Sequence, residues 1–442
     1  MLRNGHNMIV ESFKPNFPTE IIEEGRVKVL VPELKAFVKL PSDYAPSKAP
    51  VFYNPVMELN RDLAVLALQA HQRKIARKVS VCEPLTGSGL RGIRFAVEVD
   101  GVGKTVLSDI NEQAFHLARY NVQMNGLAKH ITVTKKEANF LLSSHSAPHM
   151  RFDFIDIDPF GSPVPFLDSA VRALRDGGLL ALTATDMASL CGVHPKACMR
   201  KYGGNPLRTE YCHELAARLI AGCLTTVAAK HDLGVNVVFT HRGEHYARVY
   251  ATMKYGAKSA DESMGNMGFV LHCFKCFHRE TKKGLYEVEH PRECRECGSR
   301  LRAAGPLWLG KLFDTDFCDM IEQEGQKRRL RFGAKIAKTL SLIKSESSAP
   351  FTYFVIDKMC DVLDLPVPPV KVVIEALRKE GFQASSTHFS SRGVRSEVSA
   401  GRLMEVLRGL TKTTASDAEQ RCIGLKKEIG CSAEHSGFVA DP

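Results

Sequence analysis

Between residues 79 and 255 the chain switches repeatedly between short apolar runs and longer segments whose apolar residues recur at helical spacing. The runs at 79–82, 105–108, 131–134, 152–157, 178–183, 235–240 and 246–253 predict strands, with helices between most of them. Such alternation predicts an α/β fold: a mainly parallel sheet with helices on both faces, whose ligands bind at the carboxyl ends of the strands. Upstream, Arg26-Val27-Lys28-Val29-Leu30-Val31-Pro32 alternates charged and β-branched positions and predicts a short hairpin or edge strand within residues 20–40. Phe52-Tyr53-Asn54-Pro55 is a turn signal, and residues 58–76 then carry a helical pattern. Downstream, helical patterns at 353–363 and 370–380 precede two short polar strands around Arg392-Gly393, the order of a winged-helix-like module. After about residue 411 periodicity is lost, and the tail reads as flexible.

A chain of 442 residues is too long for one ordinary core. The expected division is a catalytic α/β domain over 1–265, a cysteine-rich segment over 266–305, a smaller α+β domain over 306–410 and the tail over 411–442. With 44% hydrophobic and 25% charged residues, the composition is that of a soluble globular protein. The excess of 60 basic over 49 acidic residues, a net charge of +11, favours a polyanionic partner such as nucleic acid but does not establish one. Nine of the thirteen cysteines are scattered through apolar or helical patterns, unlike a secreted disulfide framework. Glu11 and Lys14 interrupt the place where a signal peptide needs its apolar run, and no stretch approaches the roughly 18 apolar residues of a membrane span. A cytoplasmic location is expected, with no membrane association and no obligate protein partner.

At the end of the first core strand, Glu83-Pro84-Leu85-Thr86-Gly87-Ser88-Gly89-Leu90-Arg91-Gly92 sets three glycines in a GxGxxG pattern. Glycines let backbone approach a nucleoside closely, but the pattern alone fits a dinucleotide fingerprint or a plain strand-to-helix turn equally well. Glu83 favours a methyl donor: a carboxylate there would crowd a pyrophosphate but can accept a hydrogen bond from the cationic methionine moiety of S-adenosylmethionine. Asp109, ending the next strand, can take both ribose hydroxyls of either cofactor. In Lys135-Lys136-Glu137-Ala138-Asn139, a carboxylate and a backbone amide could hold adenine, although a solvated charged turn fits that spacing as well.

The strand Phe152-Asp153-Phe154-Ile155-Asp156-Ile157-Asp158 places Asp156 and Asp158 on one face, where carboxylates are costly unless they meet ligands or donors. One use for Asp158 is to cap the turn at Pro159. Another is chemical. The lone pair of an exocyclic base amine is delocalised into its ring. A carboxylate and a backbone carbonyl accepting its two N–H bonds would draw the nitrogen toward sp³ geometry and aim the lone pair at a methyl group. Asp158 and the Pro159 carbonyl supply those acceptors, and Phe160 offers a flat face for stacking an extruded base.

Asp158-Pro159-Phe160 resembles the (Asp/Asn)-Pro-Pro-(Phe/Tyr) motif of amino-directed nucleic-acid methyltransferases, with the second proline missing. Three stretches together resemble the tRNA (guanine-N2)-dimethyltransferase family, which acts on guanine at tRNA position 26. They are Asp158-Pro159-Phe160-Gly161-Ser162-Pro163, Phe52-Tyr53-Asn54-Pro55-Val56-Met57-Glu58-Leu59-Asn60-Arg61-Asp62 and Ser88-Gly89-Leu90-Arg91-Gly92-Ile93-Arg94. The likeness spans roughly residues 20 to 400. It implies a Rossmann-like class I methyltransferase domain. It also implies that Arg61, Arg91, Asp109, Glu137 and Ala138 line an S-adenosylmethionine site and that Asp158 is catalytic. Glu137 stands where the family pattern has aspartate.

Cys273-Phe274-Lys275-Cys276 and Cys294-Arg295-Glu296-Cys297 form two CxxC pairs separated by seventeen residues, the spacing of a closed, structural Zn²⁺ site. His272, His278 and His290 nearby read as surface histidines. Lys327-Arg328-Arg329-Leu330-Arg331 with Lys335 and Lys338 suggests cations along a helix. Arg392, Arg395, Lys196, Arg200, Lys201, Tyr202 and Arg208 are further candidates for tRNA contact. Methylation of another tRNA guanine or of an adenine N6 is the alternative within the class; a nicotinamide-dependent oxidoreductase, argued from GxGxxG and Asp109, and a non-enzymatic zinc-containing RNA-binding protein are the rivals outside it.

Overall fold

The computed structural model describes residues 15–38, 45–285, 291–347 and 349–410; the expected tail lies outside the described residues, as does His290. The opening hairpin pairs β1 (Thr19–Glu24) with β2 (Val27–Pro32) in antiparallel register. Val27, Val29 and Val31 turn their side chains inward, as a period of two requires. Asn121, on the helix Glu112–Met124, accepts from Leu30 N at 2.7 Å and donates to Leu30 O at 2.9 Å, pinning the hairpin to the main body.

That body is built on seven strands: β3 (Val79–Glu83), β4 (Val102–Ser108), β5 (Ile131–Thr134), β6 (Phe152–Ile157), β7 (Leu174–Ala184), β8 (Leu233–Arg242) and β9 (Ala247–Tyr255). They lie in the order β5-β4-β3-β6-β7-β9-β8, the first five parallel and β9 running antiparallel to both its neighbours, β7 and β8. Every predicted strand is present, most of them longer than the apolar run that announced it. β6 is buried on both faces despite its acids. The helix Glu58–Ile75 is buried continuously from Asn60 to His71 and stops at Ala76, whose φ of 51° breaks the helical path.

A second sheet has the order β11-β10-β12, from β10 (Met267–His272), β11 (Arg279–Lys283) and β12 (Arg302–Trp308), all antiparallel. It packs on the helix Cys212–Ala229, where a Cβ on Gly222 would stand 3.0 Å from Leu307 Cα. A side chain there would force the strand to give by a few tenths of an ångström.

The last unit holds β13 (Phe354–Val355), β14 (Ala384–Thr387) and β15 (Ser390–Ser396) with the helices Ile356–Leu363, Val370–Lys379 and residues 400–410. Ile356, Val373, Leu377, Val394, Leu403 and Leu407 belong to its own apolar core. The helix, helix, hairpin order is as expected, but the turn falls at His388 and Phe389 while Arg392-Gly393 lies inside β15. Gly393 is there for packing: a Cβ would meet Thr387 Cγ2 at 2.5 Å and Tyr353 Cδ2 at 2.9 Å.

Three basic-surface expectations are corrected. Lys327 to Arg331 form the turn between the helices Thr315–Gln326 and Gly333–Glu346, not a helical row. Arg328 donates to Gln69 Oε1 and Arg331 pairs with Glu58, so this turn clasps the helix Glu58–Ile75. Arg395 is buried, bridging Glu214 at 2.7 Å and Glu346 at 2.5 Å, and so joins the last unit to the helix Cys212–Ala229. Tyr202 is likewise buried and donates to Asp186 at 2.6 Å.

Candidate functional site

From β3 the chain passes outward to β4 and β5, while β6 leads to β7 on the opposite side. The carboxyl ends of β3 and β6 therefore flank the crevice at the topological switch point, where ligands enter open α/β sheets. The glycine-rich turn sits there, with Gly87 and Gly89 at φ of 55° and 80°. Gly92 lets the helix Leu90–Glu98 press on the sheet: a Cβ would lie 2.2 Å from Leu107 Cδ2 and 2.9 Å from Glu83 Oε2.

Glu83 is buried at the end of β3, where its Oε2 accepts from Thr86 Oγ1 at 2.6 Å and Gly92 N at 3.0 Å. Burial pushes its pKa up to about 8, against the opposing pull of Arg91. Asp109, just beyond β4, accepts from Gly87 N and Asn111 N, both at 2.9 Å, so it braces the glycine turn; burial raises its pKa too. Glu137 is exposed after β5 and caps the helix Ala138–Ser143 by accepting from Phe140 N at 2.8 Å, beside the buried Ala138. Arg61 is buried at the edge of this group, its guanidinium held by Glu24 at 2.6 and 2.5 Å and by the Asn54 carbonyl at 3.2 Å.

Asp158 follows β6 and accepts a hydrogen bond from Arg91, which also donates to Asn60 Oδ1 at 2.9 Å. Its neighbour Asp156 is fully buried against Arg248 at 2.5 Å. Burial would raise the Asp158 pKa, but the charges of Arg91 and Arg248 prevail and hold it below the ordinary carboxylate range. Its side chain keeps 20% exposure, so a carboxylate faces the crevice. Beyond it, Gly161 N donates to Thr185 Oγ1 at 2.7 Å and Thr185 N to Gly161 O at 2.8 Å, locking the turn to the end of β7. Phe160 is 68% exposed, and Phe52 meets its ring edge-on with centroids 4.7 Å apart.

Sequence reasoning gave no separate role to Asn60, Phe52, Thr185 or Arg248. Asn60 and Phe52 lie inside the motif from Phe52 to Asp62, whereas Thr185 and Arg248 come from the β7 and β9 side of the sheet.

The four cysteines converge, with Cys273 to Cys297 and Cys276 to Cys294 each 3.5 Å apart at sulfur and all four sulfurs within 4.8 Å. Tetrahedral Zn²⁺ with bonds of about 2.3 Å would set its sulfurs roughly 3.8 Å apart, so the donors and their spacing fit that ion. His272 and His278 are buried, against expectation. His278 Nδ1 lies 3.0 Å from Glu296 Oε1, and His272 meets Phe274 edge-on, so both pack around the cysteine knuckles.

The sequence model of N2,N2-dimethylguanosine tRNA methyltransferases matches residues 25–408. The chain belongs to this family. It is thus an S-adenosylmethionine-dependent tRNA methyltransferase, and its seven-stranded domain is of class I. A tRNA (guanine(26)-N(2))-dimethyltransferase of Methanobrevibacter smithii is 39% identical over 90% of this chain and 99% of its own length. A tRNA (guanine(26)-N(2)/guanine(27)-N(2))-dimethyltransferase of Aquifex aeolicus is 36% identical over 88% of this chain and 96% of its own. Trm1 of Pyrococcus horikoshii, solved with S-adenosyl-L-methionine, superposes with a TM-score of 0.76 at 33% identity, covering 88% of this chain and 99% of that one. The oxidoreductase and the non-enzymatic RNA-binder are not favoured. Among the described residues no helix is long and apolar enough to cross a membrane.

Proposed function

We propose that this methyltransferase modifies the exocyclic N2 of guanine at tRNA position 26, first to N2-methyl- and then to N2,N2-dimethylguanosine. The observation that carries the mechanism is the ionised Asp158 at the mouth of the β3/β6 crevice, two residues before an exposed aromatic face. Bound S-adenosylmethionine supplies a methyl group activated by a sulfonium. In this reading Glu83 receives the methionine ammonium, Asp109 the ribose, and Glu137 with the Ala138 amide the adenine. Gly87 and Gly89 give the backbone room, while Arg91 and Arg61 set the charge around them.

The extruded guanine stacks on Phe160, which Phe52 props from the side. Asp158 and the Pro159 carbonyl accept the two N2–H bonds and turn the lone pair toward the methyl group. A carboxylate of lowered pKa is a weak base, so Asp158 takes the proton only as N2 becomes cationic during transfer. The monomethylated nitrogen keeps one N–H for the carboxylate, which allows a second round.

Zn²⁺ held by Cys273, Cys276, Cys294 and Cys297 would be structural, because four thiolates leave no coordination position open. A reducing cytoplasmic setting suits those thiolates. A methyltransferase domain to about residue 265, a zinc-bearing segment to about 305 and a tRNA-binding unit to about 410 complete the reading. Labelled methyl transfer to an unmodified tRNA, with guanine or adenine at position 26 and nucleosides identified, tests it. The guanine form should give both methylated products, and Asp158→Ala should slow their formation by about 10²- to 10⁴-fold. No transfer to that guanine would end the position-26 reading. Label at position 27 would favour the broader site range named for the Aquifex relative.

A further inference from the structure

Cys191, Cys212 and His213 lie outside the cysteine knuckles, and nothing in the proposed methyl transfer uses them. Cys191 caps the helix Met187–Leu190, just past the Thr185 that locks Gly161, and Cys212 opens the helix Cys212–Ala229. Two thiols and an imidazole from these separate segments place their ligand atoms within 4.8 Å of one another, with Cys212 Sγ and His213 Nδ1 at 3.7 Å. The backbone holds the segments together without help. Gly192, at φ of 86°, sits so close to the next strand of chain that a Cβ would stand 2.7 Å from Arg208 N. All three residues are half-buried, so an ion could reach them from solvent.

We infer that Cys191, Cys212 and His213 form a second Zn²⁺ site, with three protein ligands and one open coordination position. Soft thiolates with an imidazole select Zn²⁺ over Mg²⁺ or Ca²⁺. Bonds of about 2.3 Å to sulfur and about 2.0 Å to nitrogen set the donor atoms roughly 3.5 to 3.8 Å apart; Cys212 Sγ and His213 Nδ1 already stand 3.7 Å apart, and all three ligand atoms lie within 4.8 Å. Binding releases the two thiol protons to solvent, and the two thiolates then balance the dication. The positive charge of Arg242 acts on both thiols, and its buried Nε has no hydrogen-bond partner among the described residues. It can donate to a metal-bound thiolate, as outer-shell groups of such sites do. An ion here would tie the chain after β7 to the helix Cys212–Ala229 and so steady the Thr185 end of the catalytic turn.

Metal-free, reduced full-length protein titrated with Co²⁺ tests this, reading the thiolate-to-cobalt charge-transfer band against equivalents added. Two Co²⁺ per chain are expected. One should remain in the Cys191→Ser/Cys212→Ser variant and one in the Cys273→Ser/Cys276→Ser variant. A wild-type stoichiometry of one, or two in the Cys191→Ser/Cys212→Ser variant, overturns the assignment. A companion measurement needs no variant to fold: Zn²⁺ should protect the peptides bearing Cys191 and Cys212 from iodoacetamide in the wild-type protein. Alkylation of those two thiols at an unchanged rate, while the four knuckle cysteines are protected, overturns it equally.

Discussion

Arg91 reaches from the helix Leu90–Glu98 to donate to Asp158 while its other terminal nitrogen holds Asn60. This contact keeps the carboxyl ionised in a buried setting, with Arg248 contributing the next largest charge. Replacing Arg91 by Gln removes a positive charge beside Asp158, so the carboxyl pKa must rise. The acid limb of kcat should therefore move to higher pH in Arg91→Gln, and activity above that limb should persist in part. Asp158→Ala should lose about 10²- to 10⁴-fold on the plateau above the limb and show no such limb of its own. A pH–rate profile with the same acid limb in wild type and Arg91→Gln would refute this coupling.

Glu83 behaves oppositely, since burial lifts its pKa to about 8. The neutral form is favoured by the fold, so its contribution to stability is complete below the ordinary value of 4.5 and declines as pH rises toward about 8. A cationic ligand group at Glu83 reverses the preference and expels the proton. Affinity for S-adenosylmethionine should accordingly rise between about pH 6 and 8, with proton release visible as a calorimetric heat that depends on the buffer. Glu83→Gln should flatten both effects. Equal pH slopes in the two proteins would mean the methionine ammonium lies elsewhere.

How much of this was legible in the sequence follows from where each group's partners sit. The strands β3 to β9 were readable because strands buried on both faces of a sheet are continuous apolar runs bounded by turns. Glu83, Asp109 and Asp158 stood out because acids at strand ends need a physical reason. Arg395 misled: its local setting reads as an exposed wing, and its partners Glu214 and Glu346 are 181 and 49 residues away. His272 and His278 misled for a related cause, since nothing local shows that His272, at the end of β10, packs against Tyr211 or that His278 meets Glu296. The Cys191, Cys212 and His213 cluster had no CxxC spacing to mark it and emerges only from the packing around Gly192.

Phe160 is unusual for so large an apolar ring, exposed at the rim of the crevice with Phe52 against its edge. If it stacks the extruded guanine, Phe160→Ala should cost about 1–3 kcal/mol of tRNA binding, roughly a 5- to 150-fold rise in KM. Binding of S-adenosylmethionine should be unchanged, because the ring is outside the glycine turn. Phe52→Ala should follow in the same direction with a smaller effect. A Phe160→Ala enzyme with wild-type KM for tRNA would remove the stacking role.

Arg395 offers the cleanest separation of scaffold from site. It bridges Glu214 and Glu346, which are also paired with Arg218 at 2.8 Å and with His388. Arg395→Met fills the space but leaves two buried carboxylates with one charged partner each. Breaking such a pair costs about 3–5 kcal/mol, and the remaining partners argue for the lower end. The pH dependence carries its own sign. Burial would raise the Glu346 pKa, but His388 and Arg395 hold it down to about 2. That contribution to stability is present above the ordinary value of 4.5 and lost as pH falls through about 2. In Arg395→Met the Glu346 pKa rises, so the deficit against wild type should be full near neutrality and shrink as the solution is acidified below about pH 4.5. Urea unfolding of both proteins across that range measures it, and a deficit independent of pH would show that Arg395 acts through packing rather than charge.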